Sequence, residues 1–529
     1  MKSLAGTGAL VRLILRRDRI VMPLWVVVLA LTPVSVASTL ADLYPTVAER
    51  QAYTDILTGN PAFLALYGPV FGSSIGALTA WRLTGTVVLV GLASLLTVVR
   101  HTRAEEEAGR GELLGATVVG RQAPLFAALI VTFSANLLLA ALVAVGLVGF
   151  GLPAVGSAAL GISWAALGWT FAAVAAVAAQ VTEGARAARG IAITVLGLCF
   201  LLRAAGDAGK RDWLSWLSPV GWSQHMRPFA DERWWVFALF AALVTVLVAA
   251  AYGLSARRDL GSGLLPARPG PAAASPWLRS PLVLAWRLQR GSLLAWTFGL
   301  ALVGAMLGSI AQGAVEVVGG NPQLRGVIEQ LGSSSELADV YFAAVMGLLG
   351  LVASGYAIGA ALRLRSEEAS GRVEPVLAAA VSRTRWATSH LFFALAGPAV
   401  VLAAAGLTAG LTYGLSAGDV GRDLPRVLAA AAAQLPAVWV LAGLAVALFG
   451  LLPRFVAPVG WGALAACALL EELGRPLQLS KRVLDLSPFA HVPKLPGDDV
   501  SAVPLVWLVV VAAALVAAGL LAFRRRDVL

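Results

Sequence analysis

Carboxylates and guanidiniums gather into one ordered pattern in this chain, and the pattern occurs twice. The segment RAEEEAGRGELLGATVVGR, residues 103–121, returns without a gap as RSEEASGRVEPVLAAAVSR, residues 365–383. Nine of nineteen positions are identical: Arg103 and Arg365, Glu105 and Glu367, Glu106 and Glu368, Gly109 and Gly371, Arg110 and Arg372, Glu112 and Glu374, Ala116 and Ala378, Val119 and Val381, Arg121 and Arg383. Each copy is a charged island between long apolar runs. Such islands match when both meet the same thing. The pattern therefore predicts a membrane machine of two related halves, each presenting one polar handle to a soluble partner.

Elsewhere the residues capable of chemistry are scattered. His101, His225, His390 and His491 stand apart and read as interfacial or structural. Cys199 and Cys467 lie inside apolar runs, without disulfide or metal spacing, and read as buried small residues. The stretch Gly206-Asp207-Ala208-Gly209-Lys210 approaches a phosphate loop, but its first Gly is missing at the required spacing. Arg211 also stands where a metal-binding Ser or Thr belongs. The expectation is that this chain holds no catalytic residue, cofactor or metal of its own. Any ATP and Mg would be handled by another chain.

The elements that position the islands follow from composition. Over 529 residues the chain is 59% hydrophobic and only 13% charged, with a mean hydropathy of +0.81. A soluble domain carries about 25% charge. A membrane core needs about 20 apolar residues per helix, and the runs fit about twelve such helices. Ala and Gly fill these runs, as suits helices packed through small residues. The first half reads as spans near 22–41, 76–99, 123–149, 155–181, 189–204 and 234–254. The second reads near 293–315, 340–362, 387–413, 426–452, 455–471 and 503–523. Arg12, Arg16 and Arg19 share one face of a helix expected to lie on the membrane surface. Residues 22–37 also have the look of a signal-peptide core, but the second half keeps a counterpart near 293–315.

The formal charge of +11 suggests nucleic acid until the charges are placed. Lys and Arg concentrate on one side of the spans, with Arg82 and Arg203 within them, which is the positive-inside pattern. It places both termini and both islands in the cytoplasm and leaves no role for nucleic acid. Residues 255–280, rich in Gly and Pro, read as a polar linker between a first half, 1–254, and a second, 281–529. Both halves end alike, at Arg257-Arg258-Asp259 and Arg525-Arg526-Asp527, and both carry Leu-Ser-Pro before the last span. An even number of spans per half makes the two run parallel. The fold class is thus an all-α membrane protein of two parallel six-helix halves.

Each island leaves a span as a Glu pair, reaches Gly109 or Gly371, and resumes at Glu112 or Glu374. A Gly there lets the chain turn out of the span's helix. The runs 112–119 and 374–381 then suit a short helix across the membrane surface, with Glu near its positive end.

The pattern Glu-Glu-x-x-Gly-x-x-Glu after the second span of a six-span unit resembles the membrane subunits of ABC-2-type exporters. Both islands match it, with Glu105, Glu106, Gly109 and Glu112 in one and Glu367, Glu368, Gly371 and Glu374 in the other. The fused halves, the Arg-Arg-Asp endings and the Trp-Leu-Ser-Pro-Val-Gly-Trp stretch (216–222) resemble actinobacterial permeases that export polyketide antibiotics. The resemblance spans nearly the whole chain. It implies a bacterial inner-membrane permease whose coupling residues, Arg110 and Arg372 among them, receive a separate ATP-binding cassette protein in two copies. It also implies a central cavity, walled mostly by the second and fifth spans, that moves hydrophobic or amphipathic cargo outward. Pro375 replaces Leu113 in the second island, so the two docking sites need not be equivalent.

Two intramembrane features are candidates for an outer gate or cargo contact. Arg203 and Glu471 occupy matching positions in the fifth spans, and equivalent positions across a pseudo-two-fold axis can face each other. The alternative is separate snorkelling to the outer interface. Arg82, near the outer end of the second span, is the other. Trp213, Trp216, Trp222, Trp234 and Trp235 crowd one segment, as an aromatic belt does. Two rival functions stay open at this point. An ion-coupled secondary transporter would ordinarily bury a carboxylate in mid-span, where this chain has almost none. A multispan membrane enzyme would need acidic residues at an outer site, for which Asp42 and Glu49 are weak candidates.

Overall fold

The structure is a computed structural model that describes residues 2–526, except 60, 111–117, 210, 260–261, 265–272, 274, 321–336, 380, 474–479 and 498–500. Among the described residues every regular element is helical, and eleven helices are long and apolar enough to cross a membrane. The chain is a multi-pass membrane protein. It divides into two compact units, Met1–Gly270 and Pro271–Leu529, each with its own apolar core.

In the first unit, α1 (Thr7–Arg17) precedes the first span, α2 (Val21–Leu43). Short helices α3 (Val47–Gly59), α4 (Pro61–Tyr67) and α5 (Ile75–Arg82) lead to α6 (Val87–His101) and α7 (Arg103–Glu107). Long helices α8 (Ala123–Gly149), α9 (Ala154–Val181) and α10 (Ala185–Ala208) follow, then α11 (Asp212–Trp216), α12 (Pro219–His225) and the last span, α13 (Val236–Arg257). On α1, Leu10 and Ile14 are buried while Arg12 and Arg16 are exposed, and the helix rests on α8. This amphipathic stripe is what turns α1 along its neighbour. The most enclosed span is α9, packed against α6, α8, α10 and α13. Asn136 on α8 ties the group further, donating to Ser94 Oγ on α6 at 2.9 Å, a polar bond that counts where there is no water to compete.

The second unit runs through α14 (Pro281–Gly320), α15 (Leu337–Ala369) and the short α16 (Val373–Ala378). It continues with α17 (Arg383–Ala417), α18 (Val420–Ala433), α19 (Leu435–Leu451), α20 (Val456–Leu473), α21 (Lys481–Leu484) and α22 (Ala502–Arg525). Here α14 lies along α17, and α19 along α22. The latter pair meets at Gly450 and Gly519: a Cβ on Gly450 would sit 2.1 Å from the Gly519 carbonyl oxygen. Only the missing side chains let these backbones approach.

Several boundaries differ from the sequence expectation. The span read at 76–99 is two helices, α5 and α6, separated by turn residues 83–86, where Thr84, Gly85 and Thr86 interrupt the apolar run. Its counterpart, α15, is unbroken. The span read at 426–452 is divided at Gln434 into α18 and α19. The span read at 455–471 is present as α20, whose described part, Val456–Glu471, falls just short of the length of the eleven crossing helices. The start of the stretch read as linker is docked and not free, since Leu264 N donates to the Gln180 carbonyl at 3.3 Å. Arg19 lies beyond the end of α1, in a turn.

Candidate functional site

Both islands turn on a glycine in the left-handed conformation, with φ of +72° at Gly109 and +68° at Gly371. Among the described residues, none beyond the chain neighbours comes within 4 Å of where a Cβ would stand on either. Backbone conformation, not space, therefore selects glycine there, because a Cβ disfavours positive φ. Arrival at the turn differs between the halves. In the first, Thr102 breaks the helix between α6 and α7, whereas α15 continues to Ala369.

The first island is a hub where several helix ends meet. Glu105 accepts from Arg17 of α1 at 2.6 Å and from Arg110 at 2.7 Å. Glu106 accepts from Arg103 at 2.6 Å, and Arg258 grips it as a fork, at 2.7 and 2.8 Å. Bidentate guanidinium–carboxylate pairing is the strong, directional form of this interaction. Arg258 Nε also donates to Gln180 at the end of α9, 2.7 Å away, and its Nη1 to the Ser262 carbonyl at 2.8 Å. Arg121, at the start of α8, donates to the Arg258 carbonyl. Glu107 caps α10 by accepting from Ala185 N at 2.8 Å, a favourable place for a negative charge. Arg103 is fully buried and reaches the Glu183 carbonyl at 2.8 Å.

Beside this hub, Asp18 is buried between His101, 2.5 Å away, and Arg100, 2.9 Å away. Burial pushes its carboxyl up. The His101 hydrogen bond and charge, with Arg100 and Arg17, more than offset that and hold it below its ordinary value.

The second island repeats the plan with fewer bonds. Glu367 pairs with Arg363 at 2.7 Å and Arg372 at 3.4 Å. Glu368, only 2% exposed, pairs with Arg365 at 3.2 Å and Arg526 at 2.6 Å. Arg383, opening α17, donates to the Arg526 carbonyl at 2.6 Å. Arg526 lies over the rings of Phe449 and Phe523, at 5.2 and 5.6 Å, and its buried Nε has no hydrogen-bond partner among the described residues. The short helix α16 follows Gly371. Its Val373 is buried and Val376 and Leu377 pack on the core, which leaves Glu374 and Pro375 exposed.

The structure thus sorts the residues singled out in the sequence. Glu105, Glu106, Glu367 and Glu368 face arginines of their own half and form the frame. Gly109, Arg110, Gly371, Arg372 and Glu374 are exposed at the surface. Glu112 lies outside the described residues, as does most of 112–119. Arg82 is exposed at the end of α5, its guanidinium 4.9 Å above the Tyr67 ring. Arg203 is fully buried, bound to the Leu66 carbonyl at 2.9 Å and beside Asp207 at 3.5 Å. Glu471 is exposed and accepts from Ser487 at 3.3 Å. The residues that sequence reading missed are Arg17, Glu107, Gln180, Arg258 and Arg526. The matched Arg-Arg-Asp endings carried a signal for the last two, since the same three residues close both halves.

This arrangement offers a rigid, charged frame that presents a small exposed surface. The profile of the family described as "Multidrug efflux system permease Rv1217c, C-terminal domain" matches residues 278–524. The multidrug efflux system permease protein Rv1217c of Mycobacterium tuberculosis is 48% identical over 525 residues, covering 99% of this chain and 95% of that protein. Identity of that extent, over nearly the whole chain, makes it a member of the multidrug efflux system permease family.

Proposed function

We propose that this chain is the membrane subunit of an ABC-2-type exporter in a bacterial inner membrane. It moves hydrophobic or amphipathic small molecules outward, of the drug or polyketide-antibiotic kind. A separate ATPase chain, bound in two copies beneath the islands, binds ATP and Mg and supplies the energy. Both termini and both islands face the cytoplasm in this reading. The observation that carries it is the duplicated island itself: a left-handed glycine after a braced Glu pair, and in the second half a short helix with Glu374 exposed. A frame held by buried ion pairs keeps such a surface in place under load. Cargo that already partitions into lipid suits spans with few charges, and the relative's name points to more than one drug.

The test is co-purification in detergent with the ATPase encoded beside the gene. Arg372→Glu with Glu374→Lys reverses exposed charges while leaving the Glu368 pair alone. The expected result is two ATPases per wild-type permease and a reduced number in the variant. A folded wild type that retains no ATPase, and whose efflux collapses with an uncoupler, would instead favour the ion-coupled transporter.

A further inference from the structure

The last helix of each half needs a means of following the island. Both α13 and α22 are among the least enclosed spans, each lying chiefly against one neighbour, α9 or α19. Yet the residue just past each helix turns back to the second Glu of its island: Arg258 to Glu106 and Arg526 to Glu368. The same arginine's carbonyl oxygen is held by the arginine that opens the third span, Arg121 or Arg383. The partnership recurs in two island sequences that differ at most positions, with Glu368 buried and Glu106 half-buried. A charge is buried in this way only when its partner is held in place, since losing the partner is costly.

We infer that Glu106–Arg258 and Glu368–Arg526 are latches that make the final helix of each half move with its coupling island. Arg258 and Arg526 are positioning residues for transport: they act on the helix end and touch neither cargo nor nucleotide. The latches are unequal. The first is a fork, reinforced by Gln180 and Ser262. The second is a single short bond, its Arg526 Nε facing aromatic rings where the first half supplies an amide. The second latch is therefore the one that opens first. The movement of the island by an ATPase rests on the reading given above, but the latch itself does not.

The experiment is hydrogen exchange on the intact purified permease, read over residues 250–258 and 518–526, paired with drug efflux per ATP in vesicles that contain the ATPase. Wild type is compared with Arg258→Ala, Arg526→Ala and Arg258→Lys. In wild type, 518–526 exchanges faster than 250–258. Arg258→Ala speeds exchange at 250–258 by about tenfold or more, and lowers efflux per ATP while the ATPase still co-purifies. Where Arg258→Ala does not accumulate, Arg258→Lys, which keeps the charge and loses the fork, gives an intermediate loss of both. Unchanged exchange in Arg258→Ala or Arg258→Lys overturns the latch. Faster exchange with efflux per ATP intact reduces it to a structural contact and overturns the positioning role. A wild type without ATPase defeats the exporter reading, and the exchange data alone then decide the latch.

Discussion

At the scale of single residues, Gly109 and Gly371 show how an island can be read from spacing alone. Each stands three residues after its second Glu, and each holds a positive φ with open space around it. An alanine there fits sterically but pays for the left-handed backbone, so Gly109→Ala and Gly371→Ala should each cost about 1–2 kcal/mol. The two costs should add, because the sites lie in separate compact units. Thermal unfolding of the single and double variants in detergent measures this, and a double variant as stable as wild type would contradict it. Asp18 makes a pH-dependent prediction. Its carboxyl is held below the ordinary value, so it stabilises the fold at every pH above the unfolded-state value and loses that effect as pH falls through the lower folded one. The stability gap between wild type and Asp18→Asn should close only below about pH 4. A gap that closes near neutrality would point to another group. The glycines were legible in sequence because their reason is local. The partners of the glutamates were not, because Arg258 comes to Glu106 from 152 positions away and no periodicity encodes that meeting.

Among the helices, apolar length told where the chain crosses the membrane, but it could not tell where a crossing is interrupted. Residues 76–99 are apolar enough to read as one span, and the turn at 83–86 that separates α5 from α6 is marked only by Thr84, Gly85 and Thr86. Such residues are tolerated within many membrane helices, so their presence did not force a break. The break places Arg82 at a helix end, over Tyr67, and not within a continuous wall. Close packing of α19 on α22 was equally hidden, since Gly450 and Gly519 are two among 55 glycines. Their backbones touch so closely that Gly519→Val must push the helices apart. Overpacking of this kind costs about 1–3 kcal/mol. Because Arg526 lies two turns beyond Gly519, the variant should also speed hydrogen exchange at 518–526 while leaving 250–258 unchanged. Equal effects at both ends would mean that the strain spreads beyond this helix pair.

For the whole molecule, duplication sets the organisation. The matched islands, the matched endings and the matched glycines belong to two units, each with its own core, and the chain divides between Gly270 and Pro271. That division falls inside the Gly- and Pro-rich stretch 255–280 that the sequence marked as a linker, although its first residues are tied down by Arg258 and Gln180. A unit that closes its own core and satisfies its own buried charges should fold without a covalent link to the other. In the first unit Glu105, Glu106, Glu107 and Asp18 all find partners within Met1–Gly270, and in the second Glu367 and Glu368 find theirs within Pro271–Leu529. Fragments 1–270 and 271–529, expressed separately, should therefore each insert and resist protease as the same half does in the intact chain. Neither should confer drug efflux alone, because the proposed exporter uses the islands of both halves, and co-expression should restore a measurable fraction of efflux. A first fragment that is degraded alone but stable with the second would mean that its fold depends on its partner, and that the duplication, though plain in sequence, no longer marks two independent folding units.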